Sequence, residues 1–184
     1  MISREAAIKL LLENVKAENM LKHSYASEAV LRAIATRLNQ NEDERGIAGL
    51  LHDVDVDITN ADPKTHGPAA AKILNGKITD DMLDAIVMHN EIATGLERTT
   101  VFQHALAAGE TITGLITAVT LVYPDKKIAS IKTKSVTKRM KQKAFAASVN
   151  RENILECEKI GISINEFAEL SVNAMRGISD VLGL

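Results

Sequence analysis

Five histidines stand at positions 23, 52, 66, 89 and 104, and His52 is followed directly by Asp53. Imidazole nitrogen and carboxylate oxygen are the donors that Mn, Fe, Ni, Co and Zn take when no thiolate is at hand. Cys157 is the lone cysteine, which excludes an internal disulfide and a cysteine-based zinc site. His52 and Asp53 close the apolar run Gly49-Leu50-Leu51, at the expected end of a helix. His23, His66 and His89 also fall at or near expected element borders, none of them inside an apolar stripe. Glu110 is placed differently: it follows Ala105-Leu106-Ala107-Ala108-Gly109 and precedes Thr111-Ile112. A free carboxylate is costly to bury in such a run, and a bound cation would offset that cost. A Lys or Arg partner, or a locally exposed helix face, would offset it as well.

Ligands this far apart in sequence meet only if separate helices converge on them. Bundle cores commonly build metal sites in that way. The chain has the composition for it: 184 residues, 46% of them apolar and 25% charged, with three prolines. Long Ala/Leu/Ile/Lys/Glu stretches then predict an all-α protein, with 1–184 as one domain. Helices are expected over 2–16, 28–38, 42–52, 68–74, 82–89, 99–122, 151–160 and 163–182, with His23 in the connection before the second. The stretch 53–65, rich in Asp and Asn, is expected to be irregular, and 91–95 to be a loop. Pro68 suits the first turn of a helix, Thr79-Asp80-Asp81 suits a cap, and Ser163 with Glu166 has the spacing of a capping box. The 99–122 helix is almost continuously apolar and belongs at the centre of the core.

Net charge is -2, so bulk electrostatics indicate neither a nucleic-acid nor a membrane partner. Aromatic residues make up 3% of the chain, with no tryptophan, which removes base-stacking platforms. No apolar run reaches the roughly 18–20 residues of a membrane span. The first nine residues lack the layout of a signal peptide, and a cytoplasmic protein is expected. Oligomeric state is left open.

The order His23, His52-Asp53, then a late acidic residue after an Ala-Leu-Ala-Ala run resembles the HD-domain metal-dependent phosphohydrolase superfamily. The likeness spans about 20–123, with 124–184 as a basic segment and C-terminal helices packed on that core. The tail, with Lys134-Ser135-Val136, Lys143-Ala144-Phe145-Ala146 and Val149-Asn150-Arg151, is similar to an uncharacterised bacterial branch of predicted HD hydrolases. The resemblance implies a compact helical HD bundle holding one or two divalent transition-metal ions. It makes His23, His52, Asp53 and Glu110 the ligands of the primary metal, with Asp53 bridging to a second. His66 and His89 fall where dinuclear members place further histidines. His52 and Asp53 would be central to catalysis. Glu110 departs from the usual Asp, and Gly109 offers room for its longer arm. Asp55 replaces a glycine common after the His-Asp pair.

By that resemblance the substrate is a small phosphate ester, a nucleotide or related anion, attacked by a metal-activated hydroxide. A metal-binding sensor module without turnover and a di-iron oxygenase are the competing expectations. The stretch 126–143 holds eight Lys and Arg and no acidic residue. It is either a solvated face or a phosphate clamp folding over the metal mouth, in which Lys134, Lys138 and Lys143 would bind phosphate. Asp57 and Glu91 are candidates for orienting water or protonating a leaving group, or solvated loop charges. His104, a turn and a half before Glu110, is expected to point elsewhere.

Overall fold

The computed structural model describes all residues, 1–184, and is helical with no strand. In chain order the helices are α1 (Arg4–Asn14), α2 (Glu18–Arg37), α3 (Glu42–Leu51), α4 (Val56–Thr59), α5 (Pro68–Leu74) and α6 (Asp80–Met88). They continue as α7 (Glu91–Thr94), α8 (Val101–Leu121), α9 (Thr133–Met140), α10 (Arg151–Leu155), α11 (Ile164–Arg176) and α12 (Ser179–Leu182). Short 3₁₀ turns cover Ile128–Ser130 and Glu156–Ile160. No helix is long and apolar enough to cross a membrane.

The apolar run predicted to be central is central. In α8, Phe102 to Ala108, Ile112, Leu115, Ile116 and Val119 are buried; Glu110, Gly114, Thr117 and Ala118 mark its one half-open stripe. A capping box starts the helix. Thr100 Oγ1 accepts from the Gln103 amide at 3.2 Å, and Gln103 Oε1 accepts from the Thr100 amide at 3.0 Å, which satisfies two otherwise unpaired donors. One contiguous set of buried apolar side chains runs from Ala7 in α1 to Leu182 in α12.

Glycine decides how closely the site-bearing helices pack. A Cβ on Gly49 of α3 would lie 2.8 Å from the Ser27 carbonyl oxygen of α2. One on Gly109 of α8 would lie 2.5 Å from Leu31 Cδ2, also on α2. Both helices therefore approach α2 more closely than a side chain allows. The room at Gly109 serves this contact, rather than drawing Glu110 back. Successive α3 residues meet successively earlier α2 residues, so the two helices run antiparallel. The end of α3 thereby arrives beside the first half of α2.

Five local expectations are corrected. The helix expected over 28–38 begins ten residues earlier, at Glu18, and carries His23 in its interior instead of in a connection. The stretch 53–65 contains a helical turn, α4, and 91–95 contains another, α7. The expected 163–182 helix breaks at Gly177 into α11 and α12. The Ser163–Glu166 box is half made. Ser163 Oγ accepts from the Glu166 amide, but the Glu166 carboxylate turns to the guanidinium of Arg37.

Candidate metal centre

Helices α3 and α6 end alike. His52 and His89 are their C-cap residues, and each turns its Nδ1 back to the carbonyl three residues earlier: Gly49 O at 2.8 Å, and Ile86 O. Both helices present their negative dipole ends to the same place, which favours a cation there. His23 comes from α2, and its Nδ1 lies 3.0 Å from Thr113 Oγ1. That hydroxyl donates its own proton to the Glu110 carbonyl, so it accepts from the ring. His66 stands in the turn before α5 with its Nδ1 2.8 Å from Asp55 Oδ1.

An Nδ1 that carries the proton leaves the lone pair on Nε2. The Nε2 atoms converge in two pairs, His23 with His52 and His66 with His89, each pair 3.1 Å apart. Asp53 lies between the pairs. Its Oδ2 is 3.5 Å from His23 Nε2; its Oδ1 is 3.2 Å from His52, 2.9 Å from His66 and 3.5 Å from His89. Where neither nitrogen of a pair is protonated, lone pairs that close repel one another; a proton on one ring, as on His66, relieves this too. A cation between them would relieve the repulsion, and donors about 2.0–2.1 Å from one ion at roughly right angles are about 3 Å apart. His23, His52 and Asp53 form one group that could hold a metal ion, and Asp53, His66 and His89 form another. Asp53 belongs to both.

Charge and burial agree with this arrangement. His52 is 1% exposed and Asp53 7%, and an isolated carboxylate so buried would be costly. Burial opposes ionisation of Asp53, but the surrounding imidazoles outweigh it and hold the acid well below the usual carboxylate range. Burial, then the neighbouring His52 ring, lowers the His23 imidazole. Burial also opposes protonation of His52, yet Asp53 raises it on balance. His66 behaves likewise: Asp53 and Asp55 overcome burial and lift it to about 10.

Asp55 is a residue whose role the sequence did not reveal. It is fully buried. Its Oδ2 accepts from the Gly67 and Ala70 amides at 2.8 and 2.9 Å, and its Oδ1 faces His66. The Oδ1–Nδ1 approach is short, but the two atoms lack an aligned hydrogen bond. We read it as a charge contact that steers the ring, of the kind that orients metal-ligating histidines elsewhere. Gly67, with φ of 96°, adopts a backbone conformation that suits glycine and aims its amide at Asp55. No pattern within 53–55 signals this role, because the partners lie twelve and fifteen residues further on.

Arg98 supports His89 from behind. Its side chain is 1% exposed; Nε donates to Met88 O at 2.8 Å, Nη2 to His89 O at 2.7 Å and Nη1 to Glu156 Oε1 at 2.8 Å. The second Glu156 oxygen lies 3.0 Å from His104 Nδ1, so His104 points away from the cluster as expected.

All six expected metal ligands are thus in one neighbourhood, though not equally. Glu110 sits at the rim with its Oε2 3.8 Å from His23 Nε2, and Thr111 Oγ1 donates to its other oxygen. The His23 and Glu110 side chains, 22% and 16% exposed, mark the more open side of the cluster. The lysines lie elsewhere. Lys134 and Lys138 line a cavity between α9, α10 and α11. Lys138 also stands beside Val119, Val122 and Tyr123, nine or more residues beyond Glu110, about 14 Å along α8 at 1.5 Å per residue. The expected clamp over the metal mouth is not formed by these two side chains, because α9 packs on the far end of α8. Lys143 is exposed in the turns before α10. Asp57 accepts from the Lys16 amide at 2.8 Å, and Glu91 lies 3.4 Å from Arg98, so both have structural partners.

In comparisons with known proteins, the chain matches no family model, no curated protein and no solved structure.

Proposed function

We propose that the chain is a metal-dependent phosphohydrolase of HD type, acting on a small phosphate ester such as a nucleotide. The supporting observation is the double group around Asp53: two pairs of Nε2 atoms 3.1 Å apart, with one carboxylate between them. His23, His52 and Asp53 would hold one divalent ion, with Glu110 closing the rim. Asp53, His66 and His89 would hold a second. Nitrogen and oxygen donors without thiolate suit Mn, Fe, Ni, Co or Zn. Divalent ions held there would lower the pKa of bound water and neutralise phosphoryl oxygens as charge develops.

The chain's own part is to set the donors and keep them set. The Gly49, Ile86 and Thr113 oxygens fix three ring orientations, and Asp55 steers the fourth. Arg98 fixes the backbone of His89. The open side at His23 and Glu110 is the approach for an anionic substrate. The lone buried thiol and the absence of a disulfide suit a reducing cytoplasm.

The test is elemental analysis of the purified chain, with a screen of phosphate esters under added Mn, Ni, Co, Fe or Zn. Metal near one or two equivalents, hydrolysis of at least one ester, and loss of both in Asp53→Ala are expected. Undiminished metal content in that variant would reject the site. One observation favours a second reading, a metal-binding sensor without turnover: Glu110 shares its carboxylate with Thr111 and stands back from the two groups. Metal bound without hydrolysis of any ester, with activity gained in Glu110→Asp, would select it.

A further inference from the structure

The positive segment that avoids the metal mouth lines an open groove of its own. Lys134 and Lys138 are one turn apart on α9, Lys141 follows at its C-terminus and Arg151 begins α10. All four line one cavity of about 630 Å³, and no carboxylate lines it with them. Four like charges around one space repel, and in a chain of net charge -2 acidic partners are in ample supply. Arg151 commits its Nη donors to backbone carbonyls, while the three lysines have no acidic partner and are suited to an outside anion.

Two other walls fit the same ligand. Ile164 and Asn165, the first residues of α11, face the cavity. The Ser163 hydroxyl takes the Glu166 amide and the Ser163 carbonyl takes the Phe167 amide. The Ile164 and Asn165 amides have no protein acceptor and stand at the positive end of a 13-residue helix, a setting that favours phosphate. Met140, Leu155 and Ile164 supply an apolar wall. Arg151 is held in place rather than free to swing. Its Nη atoms donate to the Gln142, Phe145, Ala146 and Val149 carbonyls, and its Nε is buried without a partner.

We infer that this cavity is a second anion site, separate from the histidine cluster, for a small molecule carrying phosphate groups and an apolar body. Lysines meet the phosphates as point charges, the α11 amides give them direction, and the apolar wall receives the rest of the molecule. The site does not depend on the proposed hydrolase activity.

The test is calorimetric titration of the full chain with pyrophosphate and with ADP, at low ionic strength and without added divalent metal. Both are expected to bind, ADP more tightly, with affinity falling as salt rises. Replacing Lys138 and Lys141 together, as Lys138→Gln with Lys141→Gln, should weaken ADP by about tenfold or more. Asp53→Asn should leave it unchanged. No binding of either probe, or ADP no tighter than pyrophosphate, would overturn the assignment. So would affinity kept by the lysine variant, or affinity raised in Asp53→Asn, since removing a carboxylate from among the imidazoles favours an anion there and would put it at the histidine cluster.

Discussion

The guanidinium of Arg98 donates to the carbonyl oxygen of His89 at 2.7 Å, and to that of Met88 at 2.8 Å. The backbone of a proposed metal ligand is thereby tied, through Glu156, to the C-terminal part of the chain. Lysine is a poor substitute at such a site, since a point charge does not reproduce a fork. Arg98→Lys should keep the fold while lowering metal affinity about 10–100-fold, the usual scale for residues that orient ligands. Arg98→Met should do more, because it leaves the buried Glu156 carboxylate with only His104 and the exposed Lys159, 3.8 Å away; a loss of about 3 kcal/mol is expected. Competition with a chromogenic chelator reads the first effect and urea unfolding the second. Wild-type affinity in Arg98→Lys would remove Arg98 from the support of the site.

Metal uptake should release protons. Asp53 and Asp55, against burial, hold the His66 imidazole up at about 10 in the metal-free protein, whereas a metal requires the neutral ring. Affinity therefore rises with pH from neutrality towards 10. The stability of the metal-free chain runs the other way. The folded pKa lies above the unfolded value near 6.5, so this contribution is complete below about 6.5 and lost as pH rises through about 10. Titration with zinc at pH 7 in buffers of different ionisation enthalpy counts the protons. A count of zero would contradict the charged state assigned to His66.

Two glycine substitutions should differ in a set order. In Gly49→Ala the new methyl meets the Ser27 carbonyl, which is backbone and cannot rotate away. In Gly109→Ala it meets Leu31 Cδ2, the end of a flexible side chain. Both overpack a close contact, a change that typically costs about 1–3 kcal/mol, and Gly49→Ala should lie at the upper end. It should also weaken metal binding, since it moves the end of α3, with His52, away from His23. Thermal melts with and without zinc test the order; a larger loss in Gly109→Ala would reverse the account of which contact is rigid.

Cys157 should be inert in the native chain. It is fully buried, and burial, then the neighbouring Glu158, pushes its thiol up to about 12. Thiolate is the reactive form. A chromogenic thiol reagent at pH 7.5 should detect no cysteine until the chain is unfolded. Rapid reaction of the folded protein would place Cys157 outside the core.

Much of the site is legible in residue types alone. His52-Asp53, His66 and His89 stand out because neutral-pH metal ligands are few and cluster only for a reason. His23 is legible as a candidate ligand but not as part of a helix. Its neighbours Asn19, Lys22, Ser24 and Ser27 break the apolar period, although Ser24 and Ser27 are fully buried in the helix packing, where small polar residues let α3 come close. Asp55 illustrates a different limit: its partners, the Gly67 and Ala70 amides, are brought to it only by the turns that fold 53–67 back. The lysines show a third. A run of positive charge reveals what it attracts but not where it lies, and the packing of α9 against the far end of α8 settles that.

The three oxygens that hold the His23, His52 and His89 rings, and the Asp55 carboxylate that steers His66, leave little for an arriving ion to rearrange. The loss of side-chain freedom that capture normally incurs is borne during folding. Loading of an ion there would then be governed by stripping its water and expelling protons from the cage, with the helical content of the chain expected to stay the same.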